Sequence, residues 1–313
     1  MKSLEGKVAV VAGATRGAGR GIACMLGEAG AVVYCSGRSS RERPNTEPPF
    51  VGRPETIEET AEMVSARGGV GIPARTDHLD ERQVEALFKR VEKEHGRLDV
   101  LVNDISEGEM CEWKPFWKLS LERGLNALRR GVHTHVITAR HAAPLMVRRK
   151  SGLVVEVGDG DALFYRGSLF YDLVKVSTSR LAYAFAEELR PHKVAALAVT
   201  PGFMRTEVVL EHFGATEENW REVAEQSSKA RGMGFAGSES PYFVGRAVAA
   251  LAADAKVLEK SGGLYSSWGL AEEYGFADLD GTRPHWWRHF SEHFPRMANA
   301  KPKTGLSWKI EQG

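Results

Sequence analysis

A tyrosine and a lysine four residues apart, Tyr171 and Lys175, are the side chains best suited to acid–base chemistry in this sequence. On a helix, positions i and i+4 share a face, so both side chains would point the same way. A phenol has a pKa of about 10 and is a poor base near neutrality, but a nearby ammonium favours the phenolate. The pair is therefore suited to exchanging a proton with a carbonyl or alcohol oxygen, the alternative being two residues on a helix surface.

A glycine-rich run with Gly13, Gly17 and Gly19 follows the apolar segment Val8–Ala12. An uninterrupted apolar segment of this length is typical of a strand buried on both faces. Backbone amides at the start of the next helix can hold a pyrophosphate, and the glycines permit its close approach. The position of the run between a strand and a helix favours a dinucleotide site over a purely structural turn.

The residues after the second apolar segment indicate which nucleotide is bound. NAD-binding sites usually place an acid here to hold the ribose hydroxyls, but the sequence reads Cys35-Ser36-Gly37-Arg38-Ser39. Arg38 and Arg16 could instead bind a 2′-phosphate, because a guanidinium contacts phosphate oxygens in a fork. We therefore predict NADP(H) rather than NAD(H), the alternative being two arginines on the solvated surface.

Short apolar segments alternate with longer amphipathic ones along most of the chain. This alternation predicts a doubly wound parallel sheet with helices on both faces, a Rossmann-like α/β fold. The predicted strands are 8–12, 31–35, 70–75, 98–103, 152–157, 194–200 and 263–265. The first predicted helix follows the glycine run and ends at about residue 29. Further helices are predicted for 54–67, 80–95, much of 119–149, 169–190 and 241–254.

The length of 313 residues and the 42% hydrophobic composition allow one large core. We predict a single Rossmann domain over residues 1–270, which includes a substrate lid at about 203–240. Residues 271–313 break the alternation and are rich in aromatics, His and Pro, so we predict a C-terminal extension rather than an independent domain.

Composition argues against several other classes of protein. Lys and Arg total 42 against 41 Asp and Glu, so the net charge of +1 gives no general electrostatic basis for binding nucleic acid. The three cysteines Cys24, Cys35 and Cys111 fit neither a disulfide framework nor a zinc site. The sequence has no signal-peptide pattern and no apolar stretch of membrane-spanning length, so we predict a cytoplasmic protein without an integral membrane segment.

Three histidines of the extension, His285, His289 and His293, fall at i, i+4 and i+8, a spacing that can bind a divalent metal. No His-Glu-x-x-His arrangement accompanies them, so we predict no metal site. The neighbouring aromatics could seat the extension on the sheet, on a sister subunit or on a membrane surface, and packing is favoured. These aromatics are Trp286, Trp287, Phe290 and Phe294.

These motifs resemble the short-chain dehydrogenase/reductase family over about residues 4–268. The glycine run, the Tyr171/Lys175 pair and Thr200-Pro201-Gly202 stand where that family has its cofactor loop, its catalytic pair and the Pro-Gly motif beside the nicotinamide. The resemblance implies hydride transfer between NADP(H) and a small carbonyl or alcohol substrate. It also implies a homodimer or homotetramer formed through the helices at 119–149 and 169–190.

Within the family, the sequence resembles the subgroup around dehydrogenase/reductase SDR family member 1. The features that carry this narrower resemblance are the long loop at 39–53, the region 113–117 and the extended C-terminus.

The resemblance also implies roles for single residues. By this resemblance Tyr171 would act as acid/base, and Lys175 would in addition hold the nicotinamide ribose. Asn126 would anchor a water that links the lysine to solvent, the alternative being an exposed helical residue. Asp77 contacts the adenine and Thr206 the carboxamide. The implied cofactor-binding residues are Gly13, Thr15, Arg16, Gly17, Gly19, Arg38, Asp77, Asn103, Lys175, Pro201, Gly202 and Thr206.

Three positions depart from the family pattern. Ala12 replaces a threonine, and Asn103-Asp104-Ile105-Ser106 replaces Asn-Asn-Ala-Gly. Gly158 or Asp159 stands where a serine usually binds the substrate oxygen. An ionised carboxylate donates no hydrogen bond and repels a developing alkoxide, so Asp159 could serve only when protonated. The options are a slow enzyme, another donor from the substrate loop, or a non-catalytic NADP(H)-binding sensor or scaffold.

Apolar side chains of the lid and of two earlier loops could line a substrate pocket, and we expect about a third of them to touch substrate. A substrate in such a pocket would be bulky and lipophilic. The candidates are Phe203, Met204, Phe213, Trp220, Phe235, Trp113, Phe116, Phe164 and Tyr165.

Overall fold

The computed structural model describes residues 2–46, 50–106, 112–160 and 165–294. These residues form a parallel seven-stranded sheet in the order β3-β2-β1-β4-β5-β6-β7. The order reverses between β1 and β4, the point at which a doubly wound sheet opens a crevice. The Rossmann-like α/β class is therefore confirmed. The strands are β1 (Val8–Ala12), β2 (Val32–Gly37), β3 (Val70–Arg75), β4 (Val100–Asn103), β5 (Gly152–Val157), β6 (Val194–Thr200) and β7 (Leu264–Ser266).

Helices cover both faces of the sheet. Alternate residues of β1 enter two separate cores, with Ala9 and Val11 on one face and Val8 and Val10 on the other. This double burial explains the uninterrupted apolar segment in the sequence. The helices are α1 (Gly17–Glu28), α2 (Ile57–Ala66), α3 (Glu81–His95), α4 (Leu121–Leu128), α5 (Thr134–Arg149), α6 (Leu169–Leu189), α7 (Glu207–Phe213), α8 (Trp220–Gln226), α9 (Ser228–Gly232), α10 (Pro241–Ala253), α11 (Ser267–Tyr274) and α12 (Trp286–His293).

The long helix predicted for 119–149 is divided in the structure. A π-helical turn, Arg129–His133, separates α4 from α5. Such a turn adds a residue to the helix and shifts the side chains that follow it, and π turns are frequent at functional sites. Arg130 and Thr134, at this turn, both line the cleft described below.

The predicted lid consists of α7, α8, α9 and a short 3₁₀ turn, Phe235–Gly237. Trp220 and Phe235 lie in a small apolar core that is formed by residues of the lid. The extension begins within an ordered element, because α11 runs through residue 270. Within the described ranges, none of the helices has the length and apolar character needed to span a bilayer.

Candidate active site

The carboxyl ends of the strands open into a cleft of about 1610 Å³. All strands are parallel, so the loops that follow them meet at one edge of the sheet. Gly19, Asn103 and Asn126, which were also predicted for the site, lie outside the cleft lining. The predicted residues that line it are Gly13, Thr15, Arg16, Gly17, Arg38, Asp77, Asp159, Tyr171, Lys175, Pro201, Gly202 and Thr206.

Backbone hydrogen bonds fix the turn after β1, where Ala12 lacks a hydroxyl. The amides of Gly13 and Ala14 each donate to the Ser36 carbonyl at 2.9 Å. Gly13 has a φ of +96°, and a Cβ there would lie 2.3 Å from the Asp104 carbonyl oxygen. A Cβ on Gly19 would lie 2.3 Å from the Gly13 oxygen, so this glycine serves the packing of α1 on the turn.

Arg16 and Arg38 both line the cleft. The Nε of Arg16 pairs with Glu55 at 3.3 Å, and its guanidinium lies 4.6 Å from the centroid of the Phe50 ring. Its Nη2 is buried and has no hydrogen-bond partner among the described residues. An orphaned guanidinium nitrogen beside a cleft fits a phosphate, since buried polar groups are normally paired.

Tyr171 and Asp159 are in direct contact. The Tyr171 hydroxyl donates to Asp159 Oδ2 at 2.6 Å, and the Lys175 Nζ lies 5.3 Å from the centroid of the Tyr171 ring. The four-residue spacing on α6 thus places phenol and ammonium side by side, and the Asp159 carboxylate stands against the phenol. This side of the cleft holds a proton donor, a cation and a carboxylate.

Arg166, which the sequence reasoning missed, contacts both Asp159 and Asp172. Its side chain is 6% exposed, and its Nε donates to the Asp159 carbonyl at 2.7 Å. Its Nη1 pairs with Asp172 Oδ1 at 3.2 Å. Arg166 therefore ties the loop after β5 to the first turn of α6, and fixes Asp159 relative to Tyr171.

A buried ion pair supports the loop after β4. Glu156, fully buried on β5, contacts His135 Nδ1 at 2.5 Å and accepts from Asn103 Nδ2 at 2.7 Å. Burial alone lowers the pKa of His135, but the Glu156 charge raises it, and the net direction is upward. The other ring nitrogen, Nε2, donates to the Ile105 carbonyl at 3.0 Å. Asn103 is thus part of the support beneath the cleft.

His78 is a second buried histidine, and it lines the cleft. Its Nε2 bonds Ser36 Oγ at 2.9 Å and its Nδ1 bonds Thr138 Oγ1 at 2.8 Å. Burial, with a smaller contribution from the charge of His135, lowers the pKa of His78 to about 3. His78 is therefore neutral, and it engages the Ser36 hydroxyl.

The lid is tied to the glycine run through Glu207. The Gly17 amide donates to Glu207 Oε2 at 2.9 Å, and Arg20 Nε lies 3.7 Å from Glu207 Oε1. The Thr206 hydroxyl caps α7 by accepting from the Val209 amide at 3.3 Å. The first helix of the lid therefore starts against the N-terminus of α1, where the sequence predicts the pyrophosphate.

A buried carboxyl, Glu239, lies beneath the turn at Pro201 and Gly202. Its Oε2 accepts from the Gly202 amide at 2.9 Å and from the Ser267 hydroxyl at 2.7 Å. Burial raises the pKa of Glu239 to about 8; the two hydrogen bonds oppose this rise and the charge of Asp278 adds to it. A neutral carboxyl therefore supports the turn at neutral pH.

The aromatic residues predicted for the pocket divide into two groups. Phe203, Met204, Trp113 and Tyr165 line the cleft. Phe164 lies outside the described residues. Phe213, Trp220 and Phe235 form the core of the lid, and Phe116 is exposed away from the cleft.

The sequence reasoning did not foresee the part of the wall that comes from the C-terminal extension. Trp286, Trp287 and Phe290 of the extension line the cleft, together with Trp268 of α11. The i, i+4 spacing of Trp286 and Phe290 was the available signal, because it puts both rings on one helix face.

The three histidines of the extension do not converge. The rings of His289 and His293 stack with their centroids 3.9 Å apart, while His285 lies against Trp268. The described part of the chain contains no group of three or more His, Cys, Asp or Glu that could hold a metal ion.

The comparisons with known proteins identify the family. The family model for short chain dehydrogenases matches residues 7–216. Dehydrogenase/reductase SDR family member 1 of Homo sapiens is 34% identical over 310 residues, which cover 97% of this chain and 91% of the human protein. The chain belongs to the short-chain dehydrogenase/reductase family, whose members are oxidoreductases that use NAD(H) or NADP(H), and it falls in the subgroup of that human protein.

Two further comparisons concern a more distant relative and the fold. The 7alpha-hydroxysteroid dehydrogenase of Clostridium sardiniense is 26% identical over 68% of this chain and 76% of its own length. A short chain dehydrogenase of Mycobacterium thermoresistibile superposes with a TM-score of 0.72 at 21% identity, covering 90% of this chain and 92% of that one. The second comparison supports the fold alone.

Glu239→Gln should change how stability depends on pH. Between the ordinary carboxyl pKa of 4.5 and the folded pKa of about 8, the folded protein keeps a proton that the unfolded chain releases. The contribution of Glu239 to stability therefore falls as the pH rises through this window. Urea unfolding measures the free energy of unfolding of the variant minus that of wild type. We expect this difference to increase by about 3 kcal/mol as the pH rises from about 5 to about 8. The exposed Glu259→Gln is the control, and an equal pH dependence in both variants would contradict a neutral Glu239.

Proposed function

We propose that the chain is an NADP(H)-dependent oxidoreductase that interconverts a lipophilic carbonyl compound and its alcohol, with Tyr171 as the acid/base. The observation that carries the proposal is the placement of Tyr171 and Lys175 on the same cleft as Arg16 and Arg38. When bound, the nicotinamide would donate or accept the hydride. The glycine run, Arg38 and Lys175 would hold the cofactor.

The side chains would divide the work in reduction as follows. Tyr171 gives its proton to the carbonyl oxygen as the alcohol forms. The ammonium of Lys175 stabilises the phenolate that remains. Phe203, Trp268 and the aromatic residues of α12 exclude water from the reacting carbon, which strengthens these electrostatic interactions.

The preference for NADP(H) rests on Arg16 and Arg38 and on the absence of an acid directly after β2. Glu55 lies nearby, but its carboxylate is engaged by Arg53, with contacts of 2.6 and 3.0 Å, and by Arg16 at 3.3 Å. Glu55 therefore positions Arg16 rather than competing for ribose hydroxyls.

Arg38→Ala should weaken the binding of NADPH and leave that of NADH nearly unchanged. Hydrogen bonds to a charged group contribute about 1.5–3 kcal/mol, so the Kd for NADPH should rise roughly ten- to hundredfold. Isothermal titration calorimetry measures both nucleotides. Arg41→Ala is the matched control, because Arg41 is exposed, pairs with Glu62 and lies outside the cleft lining. Equal losses for both nucleotides would refute the assignment of the 2′-phosphate to Arg38.

A second function is favoured by one specific observation, the contact of Asp159 with the Tyr171 hydroxyl. An ionised carboxylate here disfavours a developing alkoxide and supplies no donor. The chain could then bind NADP(H) without turnover, as a sensor or scaffold. Substitutions at the two residues distinguish the enzyme from the binding protein.

Tyr171→Phe should lower the kcat of carbonyl reduction by about 10²–10⁴-fold, because the proton donor is lost. Asp159→Ser should raise kcat by about tenfold or more, since a missing oxyanion donor costs roughly 10²–10³ in rate. Steady-state oxidation of NADPH with a panel of aromatic aldehydes and ketones measures both effects. Asp159→Ala removes the charge without adding a hydrogen-bond donor, so it separates the loss of the charge from the gain of a donor.

The binding-protein alternative predicts a different pattern. Wild type would then bind NADPH tightly but show no rate above that of Tyr171→Phe on any carbonyl or alcohol tested. Asp159→Ser would gain activity on the same scaffold if the acid alone prevents turnover. A wild-type rate that Tyr171→Phe leaves intact would contradict both functions.

The proposal includes assembly as a homodimer or homotetramer. Apolar side chains on α4, α5 and α6 are exposed, among them Leu121, Leu125, Val136 and Leu173. Exposed apolar side chains on neighbouring helices are typical of subunit contacts. A mass of one chain by sedimentation equilibrium would exclude this assembly.

A further inference from the structure

We propose that the tail helix α12 forms a subsite for a planar fused-ring group of the substrate. This inference rests on the proposed function only in taking the cleft as a carbonyl site. The subsite consists of Trp286, Trp287 and Phe290, which line the cleft together with Phe203 and Trp268.

The position of α12 is set by three glycines that have no space for a side chain. A Cβ on Gly202 would lie 2.6 Å from the Trp286 Cβ, and one on Gly237 would lie 2.3 Å from the His289 ring. A Cβ on Gly234, whose φ is +74°, would lie 3.1 Å from the Phe294 ring and 3.2 Å from the Trp286 ring. The helix is thus packed directly on the lid and on the Pro-Gly turn.

The side of α12 that faces the cleft is aromatic throughout. Trp286 lies 5.6 Å from Phe203 and 5.9 Å from Phe290, centroid to centroid, and Trp287 lies 5.9 Å from Phe290. The charged residue Arg288 lies 3.6 Å from Glu272 and is not part of the cleft lining. The wall therefore offers ring faces and no charge to a ligand.

One ring of this wall is only partly covered by protein. Trp287 remains 52% exposed even though it lines the cleft. Burying an exposed indole face against a ligand is favourable, because apolar area leaves water. The exposed face of Trp287 is thus the part of the subsite that a ligand would cover.

The shape of the wall favours one class of ligand. Aromatic rings attract one another most when stacked with an offset or arranged edge to face, and indoles offer large flat faces for this. A rigid fused-ring compound gains such contacts without losing rotational freedom, whereas a flexible alkyl chain must be ordered on binding. The occupant is therefore a planar polycyclic carbonyl compound rather than a long-chain aldehyde.

Binding of a probe that cannot react tests the subsite. The probe is 9-anthracenemethanol, and the protein is loaded with NADPH, so no turnover is possible. Fluorescence polarisation measures its Kd, with 1-decanol as a competing flexible ligand. We expect Trp287→Ala to weaken binding of the anthracene probe by about tenfold and that of decanol by about twofold or less.

Two further variants sharpen this test. Trp287→Phe keeps a flat ring and should restore most of the affinity, whereas Trp287→Leu keeps apolar volume without a ring face and should not. Trp117→Ala is the matched control, because Trp117 is 70% exposed and lies outside the cleft lining. Urea unfolding and the Kd for NADPH check that each variant is folded.

The outcomes separate the subsite from the proposed reaction. Equal effects of Trp287→Ala and Trp117→Ala, or full affinity in Trp287→Leu, would overturn the subsite whatever the activity. Loss of probe binding in Trp287→Ala, in a protein without carbonyl reduction, would support the subsite and count against the proposed reaction.

Discussion

The constraint on which the rest of the structure depends is the parallel order of the strands, which brings every loop that follows a strand to one edge. The loops after β3, β4 and β5 are each anchored to a neighbouring strand by a backbone hydrogen bond. The Asp104 amide donates to the Ala12 carbonyl, the Gly158 amide to Val199 and the Thr76 amide to Gly37, all at 2.9 Å. Side chains far apart in sequence are therefore held in one cleft by the sheet itself, before any ligand binds.

A buried ion pair compensates for an unusual loop after β4. The segment Asp104-Ile105-Ser106 follows Asn103 in this loop. His135 stabilises the segment by donating a hydrogen bond to the Ile105 carbonyl. An uncompensated charge such as that of Glu156 would be costly in the middle of the sheet, but the imidazole and Asn103 satisfy both of its oxygens. The loop that departs from the family motif is thus supported by Glu156 on β5 and His135 on α5. No local sequence motif connects these two residues with the loop.

The sequence predicted the parts of the molecule that local patterns determine. Apolar segments such as Val8–Ala12 predict strands that are buried on both faces of the sheet. The spacing of Tyr171 and Lys175 predicts that both side chains lie on one helix face. The position of α12 was missed because an aromatic helix looks the same whether it packs on the core, on a partner or over a cleft. The glycines that seat it lie about 50 to 85 residues earlier, so only the folded chain shows that they match.

Asp159 belongs to a group of charged residues rather than standing alone in the cleft. Arg166 donates to its carbonyl and lies 3.9 Å from its carboxylate, while also pairing with Asp172. Two cations, Lys175 and Arg166, thus accompany two carboxylates around one phenol, and their formal charges cancel. A serine at position 159 would leave this group with an excess positive charge. The acid at 159 and the arginine at 166 therefore form one electrostatic unit beside the Tyr171 hydroxyl.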